Sequence, residues 1–282
     1  MNFIDPHLHF FDLSKGEYNW LAPQNPPHWP DKSVIHRDFG FEDLVTHTDH
    51  QLCGFVHIEA GFNNRDPQAE IQWLERTISS PFKSVACIDL TQTSERFQRA
   101  LKALTALDSV IGVRHILDED APQLLSDPHV IRNLSALADA ELLFECQVFL
   151  SDASTFSALL ALKKQIPSLK LVFNHAGFVP FDTPTYQCWL EHMGVLADIE
   201  FFYCKASGWE MISRQYTQQH LATTVRDLHT LWGDKLMLAS NFPLCLFSTT
   251  YAALWQDYAQ LLEDHSQVNA LCYANAKRIY QF

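Results

Sequence analysis

The chain has 282 residues, 47% of them hydrophobic and 19% charged, and carries a formal net charge of −13. That much apolar material builds a large core without staples, which excludes a disordered chain and a disulfide scaffold. The acidity, with no clustered Lys or Arg, excludes a nucleic-acid surface.

The first element is the segment NFIDPHLH at 2–9. A strand turns alternate side chains to one face, so Asp5, His7 and His9 form a single inward row of one carboxylate and two imidazoles. Residues 10–41 follow as a long aromatic and proline-rich stretch (Trp20, Pro23, Pro26, Pro27, Trp29, Pro30), expected to act as a lid or pocket wall.

Further apolar, β-rich runs lie near 52–59, 83–90, 109–115, 141–148, 169–175, 199–206 and 235–240. Between them, stretches such as DPQAEIQWLERTISS, TSERFQRALKALTAL, SDPHVIRNLSALADA, SDASTFSALLALKKQ and YQCWLEHMGVLAD repeat apolar residues at three- and four-residue spacing behind Ser, Thr or Asp caps. Helices are predicted at about 216–232, 250–264 and 267–280.

Eight strand–helix units without a linker predict an α/β fold, a (β/α)8 TIM barrel forming a single domain over 1–282. A doubly wound open sheet is the alternative, disfavoured because no glycine-rich phosphate loop follows any strand. The seven cysteines (Cys53, Cys87, Cys146, Cys188, Cys204, Cys245, Cys272) form no CxxC pair and read as reduced, buried hydrophobes. No apolar run is long enough to span a membrane and no leader pattern opens the chain, so a cytoplasmic protein is expected.

In such a barrel the strand C-termini converge on one mouth. The predicted ends carry His7 and His9, His57 and Glu59, Asp89, Arg114 and His115, Glu145 and Gln147, His175, Lys205, and Ser240 with Asn241. Buried ionisable groups are costly unless used or paired, so this concentration predicts a catalytic or binding mouth. Trp209, just past Gly208, is expected in the pocket wall, and Lys163-Lys164 on a solvated helix face. His57 and Glu59 could couple a base to its orienting carboxylate, although Glu59 could equally pair with Lys205 or Arg114.

The segments DPHLHFFDL, GVRHI, FNHAG, KASG, ASNFP and NAKRIY, in that order from residue 2 to about 280, resemble the lactonase-type branch of the amidohydrolase superfamily. That branch includes sugar-acid lactonases and 2-pyrone-4,6-dicarboxylate lactonase. The resemblance implies a distorted (β/α)8 barrel that hydrolyses a small lactone or related cyclic ester. His7, His9 and His175 stand at the family's histidine positions, and Arg114 where an arginine grips a substrate carboxylate or carbonyl. His57, Glu59, Lys205 and Trp209 complete the expected binding residues.

One departure stands out. Where the family carries an aspartate base at the end of strand eight, this chain reads Ser240-Asn241-Phe242-Pro243. An amide accepts no proton near neutral pH, so His7, His9, His57, His115 and Asp89 remain open as replacement bases.

The resemblance implies no cofactor, with a divalent metal such as zinc on His7, His9 and His175 as the alternative. The expected partner is a small anionic or polyhydroxy lactone, with self-association left open. Competing readings are a ligand-binding barrel with impaired turnover and a metal-dependent decarboxylase.

Overall fold

The structure, a computed structural model, describes residues 1–282. Its eight parallel strands are β1 (Asn2–Leu8), β2 (Gln51–Ile58), β3 (Phe82–Cys87), β4 (Val110–Arg114), β5 (Leu143–Cys146), β6 (Lys170–Phe173), β7 (Phe202–Ala206) and β8 (Leu236–Leu238). They hydrogen-bond in sequence order, as the right-handed strand–helix–strand crossover requires. The first and last strands meet beyond their ends, where Asn241 N donates to His7 O (2.9 Å) and His9 N donates to Phe242 O (2.7 Å). A nearly closed (β/α)8 barrel results, as the alternation predicts.

Each strand is buried on both faces, which is why the runs are nearly continuous in apolar residues. Ile4, Val56, Ile58, Val85, Leu143, Val172 and Met237 fill the barrel interior together with Ala276, Ile279 and Tyr280 of the C-terminal segment. A separate cluster of 65 buried residues joins the barrel wall to the outer helices. The helix Ser94–Leu104 is representative, burying Phe97, Leu101 and Leu104 along one stripe.

Several helix starts use the expected caps. Asp127 accepts from His129 N, Asp152 from Ser154 N and Thr155 N, and Thr217 from His220 N. The predicted helix over 250–264 is shorter, Tyr251–Ala259, because Leu261 and Leu262 turn back onto the core. The predicted 267–280 helix is interrupted by a π-helical turn at Ala270–Ala274 before resuming over Asn275–Ile279. No helix is long and apolar enough to cross a membrane.

The stretch 10–41 is packed rather than loose. Phe10, Phe11, Tyr18, Leu21, Ile35 and Phe39 are buried, and the Trp20 indole donates to Ala60 O at 2.7 Å. The Lys32 ammonium, itself buried, donates to the carbonyls of Trp20 (2.8 Å), Ala22 (3.2 Å) and Asn25 (2.7 Å). Asp31 pairs with Arg214 at 2.7 Å, tying the stretch to the segment after β7.

Candidate active site

His7 and His9 leave the end of β1 with their rings 5.2 Å apart, and the His175 ring lies 4.7 Å from His7. His175 sits in a tight turn after β6 with φ 55, and the adjoining β7 end is glycine for a steric reason. A Cβ on Gly208 would lie 2.4 Å from His175 Nδ1, and the residue's φ of +67 suits glycine.

The three rings are held differently. His9 Nδ1 lies 2.8 Å from the Ile58 carbonyl, which only accepts, so Nδ1 carries the proton and Nε2 keeps its lone pair. His175 Nδ1 bonds Ser207 Oγ at 2.9 Å. Both nitrogens of His7 are buried without any protein partner. Burial holds all three rings well below the usual histidine range, helped at His7 and His175 by Lys205 and at His9 and His175 by Arg114. Neutral imidazoles, able to donate on one nitrogen and accept on the other, therefore meet at the mouth.

Arg114 crosses the top of β3 to Glu59, its Nε donating to Glu59 Oε1 (2.7 Å) and one terminal nitrogen to Glu59 O (2.8 Å). The Gln147 amide oxygen lies 3.4 Å from the other terminal nitrogen, a weak contact that leaves this edge available to a ligand. Lys205 instead pairs with Glu145 at 2.8 Å, and both side chains are fully buried. Tyr280 OH and Asn174 Nδ2 also donate to Glu145. Burial pushes the Lys205 ammonium down to about 8 despite Glu145.

Other expected residues lie further back. His57 accepts from Phe10 N at Nδ1 (3.3 Å) and donates through Nε2 to Glu70 (2.9 Å), so its carboxylate partner is Glu70 and not Glu59. Trp209 is buried, with its indole N–H donating to Tyr258 OH at 2.6 Å and its ring against Phe181. Asp89 lies beyond β3, half-exposed, and accepts from the Thr91 amide (2.8 Å) and hydroxyl (2.7 Å). His115, past β4, lies 3.2 Å from Ile88 O. Asp5 accepts from Ser240 N (3.1 Å) and Ser240 Oγ (2.5 Å) across the seam, and burial raises it to about 6.

Asn241 adopts φ 58, and its Nδ2 donates to Glu210 Oε1 at 2.6 Å. Its side chain also lies close to His9. Glu210 was not among the expected residues. It lies in the short helical turn Trp209–Ile212, whose only sequence signal is a carboxylate two residues past Gly208. Burial pushes it up to about 7.

Between its ordinary 4.5 and about 7, folded Glu210 keeps a proton that the unfolded chain has released. On its account stability falls as pH rises through that window. Glu210→Gln should remove this slope and gain on the order of 2–3 kcal/mol at pH 8 relative to pH 5. Denaturant unfolding of both proteins at the two pH values measures it, and parallel slopes would refute it.

The side chains present do not fit a divalent cation as they stand. No three His, Cys, Asp or Glu side chains group around one point, the strand-eight donor is a neutral amide held by Glu210, and Arg114 and Lys205 place positive charge beside the imidazoles.

Polar groups gathered at the C-terminal mouth of a (β/α)8 barrel define a barrel enzyme acting on small molecules. The chain belongs to the amidohydrolase family, whose sequence profile matches residues 4–282, and it is an amidohydrolase-type hydrolase. It is 27% identical over 247 residues to L-fucono-1,5-lactonase of Burkholderia ambifaria, covering 86% of this chain and 80% of that one. It is 22% identical over 300 residues to L-rhamnono-gamma-lactonase of Scheffersomyces stipitis, covering 86% and 85%. Among solved structures, a zinc-bound amidohydrolase from Burkholderia multivorans superposes with a TM-score of 0.81 at 21% identity over the whole of both chains.

Proposed function

We propose that this chain hydrolyses a small sugar-acid or other polar lactone at the His7, His9 and His175 mouth. The names of the two lactonase relatives support the substrate class. The observation that carries the reading is the His7 ring, buried with neither nitrogen partnered and flanked by two histidines whose Nδ1 atoms are engaged. A buried polar group without a partner costs about 1–3 kcal/mol, so the His7 nitrogens are poised to bond a water or a substrate atom at the mouth.

His9 Nε2 takes a proton from water as the water oxygen bonds to the lactone carbonyl carbon. An N–H of neutral His7 stabilises the oxyanion. The ring C–O bond then breaks, the leaving alkoxide recovers the proton from His9, and one water has been added overall. Asn241 takes no proton and acts as a hydrogen-bonding group. A panel of sugar-acid and carboxylated lactones, followed by acid release in weak buffer, tests this. Absence of acid release above background for every lactone refutes it.

Binding of an anionic substrate falls to Arg114, because Lys205 is committed to Glu145. Arg114→Lys keeps a charge beside Glu59 but loses the planar fork. KM for carboxylated lactones should rise about tenfold with kcat within a few-fold, and neutral lactones should be little affected. An equal effect on both classes would make Arg114 a structural residue.

The side-chain set makes a metal-free reaction the expectation, and elemental analysis of the purified protein, with activity before and after chelation, tests it: a stoichiometric divalent metal whose removal abolishes activity would overturn it.

A further inference from the structure

Five carboxylates are buried around the barrel mouth and interior: Asp5, Glu59, Glu70, Glu145 and Glu210. Asp5 is taken by Ser240, Glu59 by Arg114, Glu70 by His57 and the Ala60 amide, and Glu145 by Lys205, Tyr280 and Asn174. Glu210 differs. Its Oε2 is the one carboxylate oxygen buried without a hydrogen-bond partner, while its Oε1 accepts from Asn241 at 2.6 Å.

The carboxylate is also rigidly delivered. Gly208, at φ +67, turns the chain out of β7, and the indole of neighbouring Trp209 is pinned to Tyr258. Arg214 donates to the Glu210 backbone carbonyl but directs its guanidinium to Asp31, so no cation pairs with the carboxylate. Asn241 touches the Glu210 carboxylate, while Arg214, Tyr216, Tyr258 and Cys245 are near enough to influence it electrostatically. A buried carboxylate without a counter-ion weakens the fold, which points to a use elsewhere.

We propose that Glu210 is a positioning residue of this hydrolytic site, holding the Asn241 amide in one orientation against His9 so that the attacking water meets a fixed partner. The inference rests on the lactone-hydrolase reading above. Above about pH 7, where Glu210 is ionised, its bond to the amide is charge-assisted and roughly twice as strong as a neutral one, so the carboxylate allows only one sense of the amide. A glutamine at 210 would still reach Asn241, but with either end of its own amide, and the preference would be lost.

The test uses the full chain and a lactone that the wild type hydrolyses. Glu210→Gln should lower kcat about tenfold or more with KM nearly unchanged and thermal stability equal or higher. Asn241→Ala should do the same, and the double variant should be no worse than the poorer single one. Asn241→Asp alone places two carboxylates in contact and should be impaired, whereas Asn241→Asp with Glu210→Gln moves the charge by one side chain and should recover most of the loss. Wild-type kcat in Glu210→Gln, or losses that multiply in the double variant, overturn the proposal.

If the wild type hydrolyses no lactone, the functional reading fails and a second measurement decides this one. The Asn241 side-chain amide, assigned by NMR, should show a downfield, exchange-protected proton that Glu210→Gln abolishes. An unchanged resonance overturns the proposal.

Discussion

Replacing Glu145 with alanine will lower the unfolding free energy by about 3–5 kcal/mol, the largest stability effect expected from a single side chain here. The variant leaves the Lys205 ammonium buried with no acceptor, and it strips Tyr280 OH and Asn174 Nδ2 of the same partner. Tyr280 belongs to the segment that plugs the barrel interior, so the damage reaches from the mouth to the C-terminus. Lys205→Met combined with Glu145→Leu should recover much of the loss, because an apolar pair of similar volume often replaces a buried ion pair at little cost. Urea unfolding at neutral pH measures both proteins. A loss below about 1 kcal/mol would mean that water reaches Lys205 and relieves it.

The largest effect on rate is expected from His9→Ala, which should reduce kcat about 10²–10⁴-fold while KM moves far less. His9 is singled out by its tautomer: the Ile58 carbonyl holds the proton on Nδ1, so the opposite nitrogen stays a free base in a ring that burial keeps neutral. His57, one strand away, has Nε2 committed to Glu70, and burial pushes it down to about 3. Single-turnover and steady-state rates should agree on the defect, and added imidazole should restore part of it. A variant that retains a tenth of the wild-type kcat would transfer the base to His175.

All eight strands were legible in the sequence because a strand covered on both faces must be apolar along its length. Their ends were harder. Asp89 and His115 were placed at strand termini, but β3 and β4 stop at Cys87 and Arg114, which leaves both residues in the following turns. Pairing was harder still. Glu59 had two plausible cations, and only the three-dimensional neighbourhood gives it Arg114 and sends Lys205 to Glu145.

His57 took a partner from the next helix, Glu70, that no strand pattern could suggest. Glu210 was missed because in GWEMI only its neighbour Trp209 was expected at the pocket wall, and nothing in the sequence singles out the glutamate. Its burial follows from Trp209 being drawn inward to Tyr258, a contact between residues far apart in the chain. The strand-eight asparagine, by contrast, was visible at once. Its glutamate neighbour was not.

The seam between the first and last strands has a consequence for how the protein is made. Asn241 N reaches His7 O, and Phe242 O receives His9 N, so the barrel shuts through the backbone of residues that also line the candidate site. During synthesis the two histidines emerge first and wait for a partner more than two hundred residues downstream. Contacts so distant in sequence form late, after most of the sheet has paired. A nascent chain halted before β8 would hold His7 and His9 at an open edge, exposed to stray pairing. Recovery of activity after dilution from denaturant should therefore lag behind the return of helical signal, with the delay reporting the joining of the two chain ends.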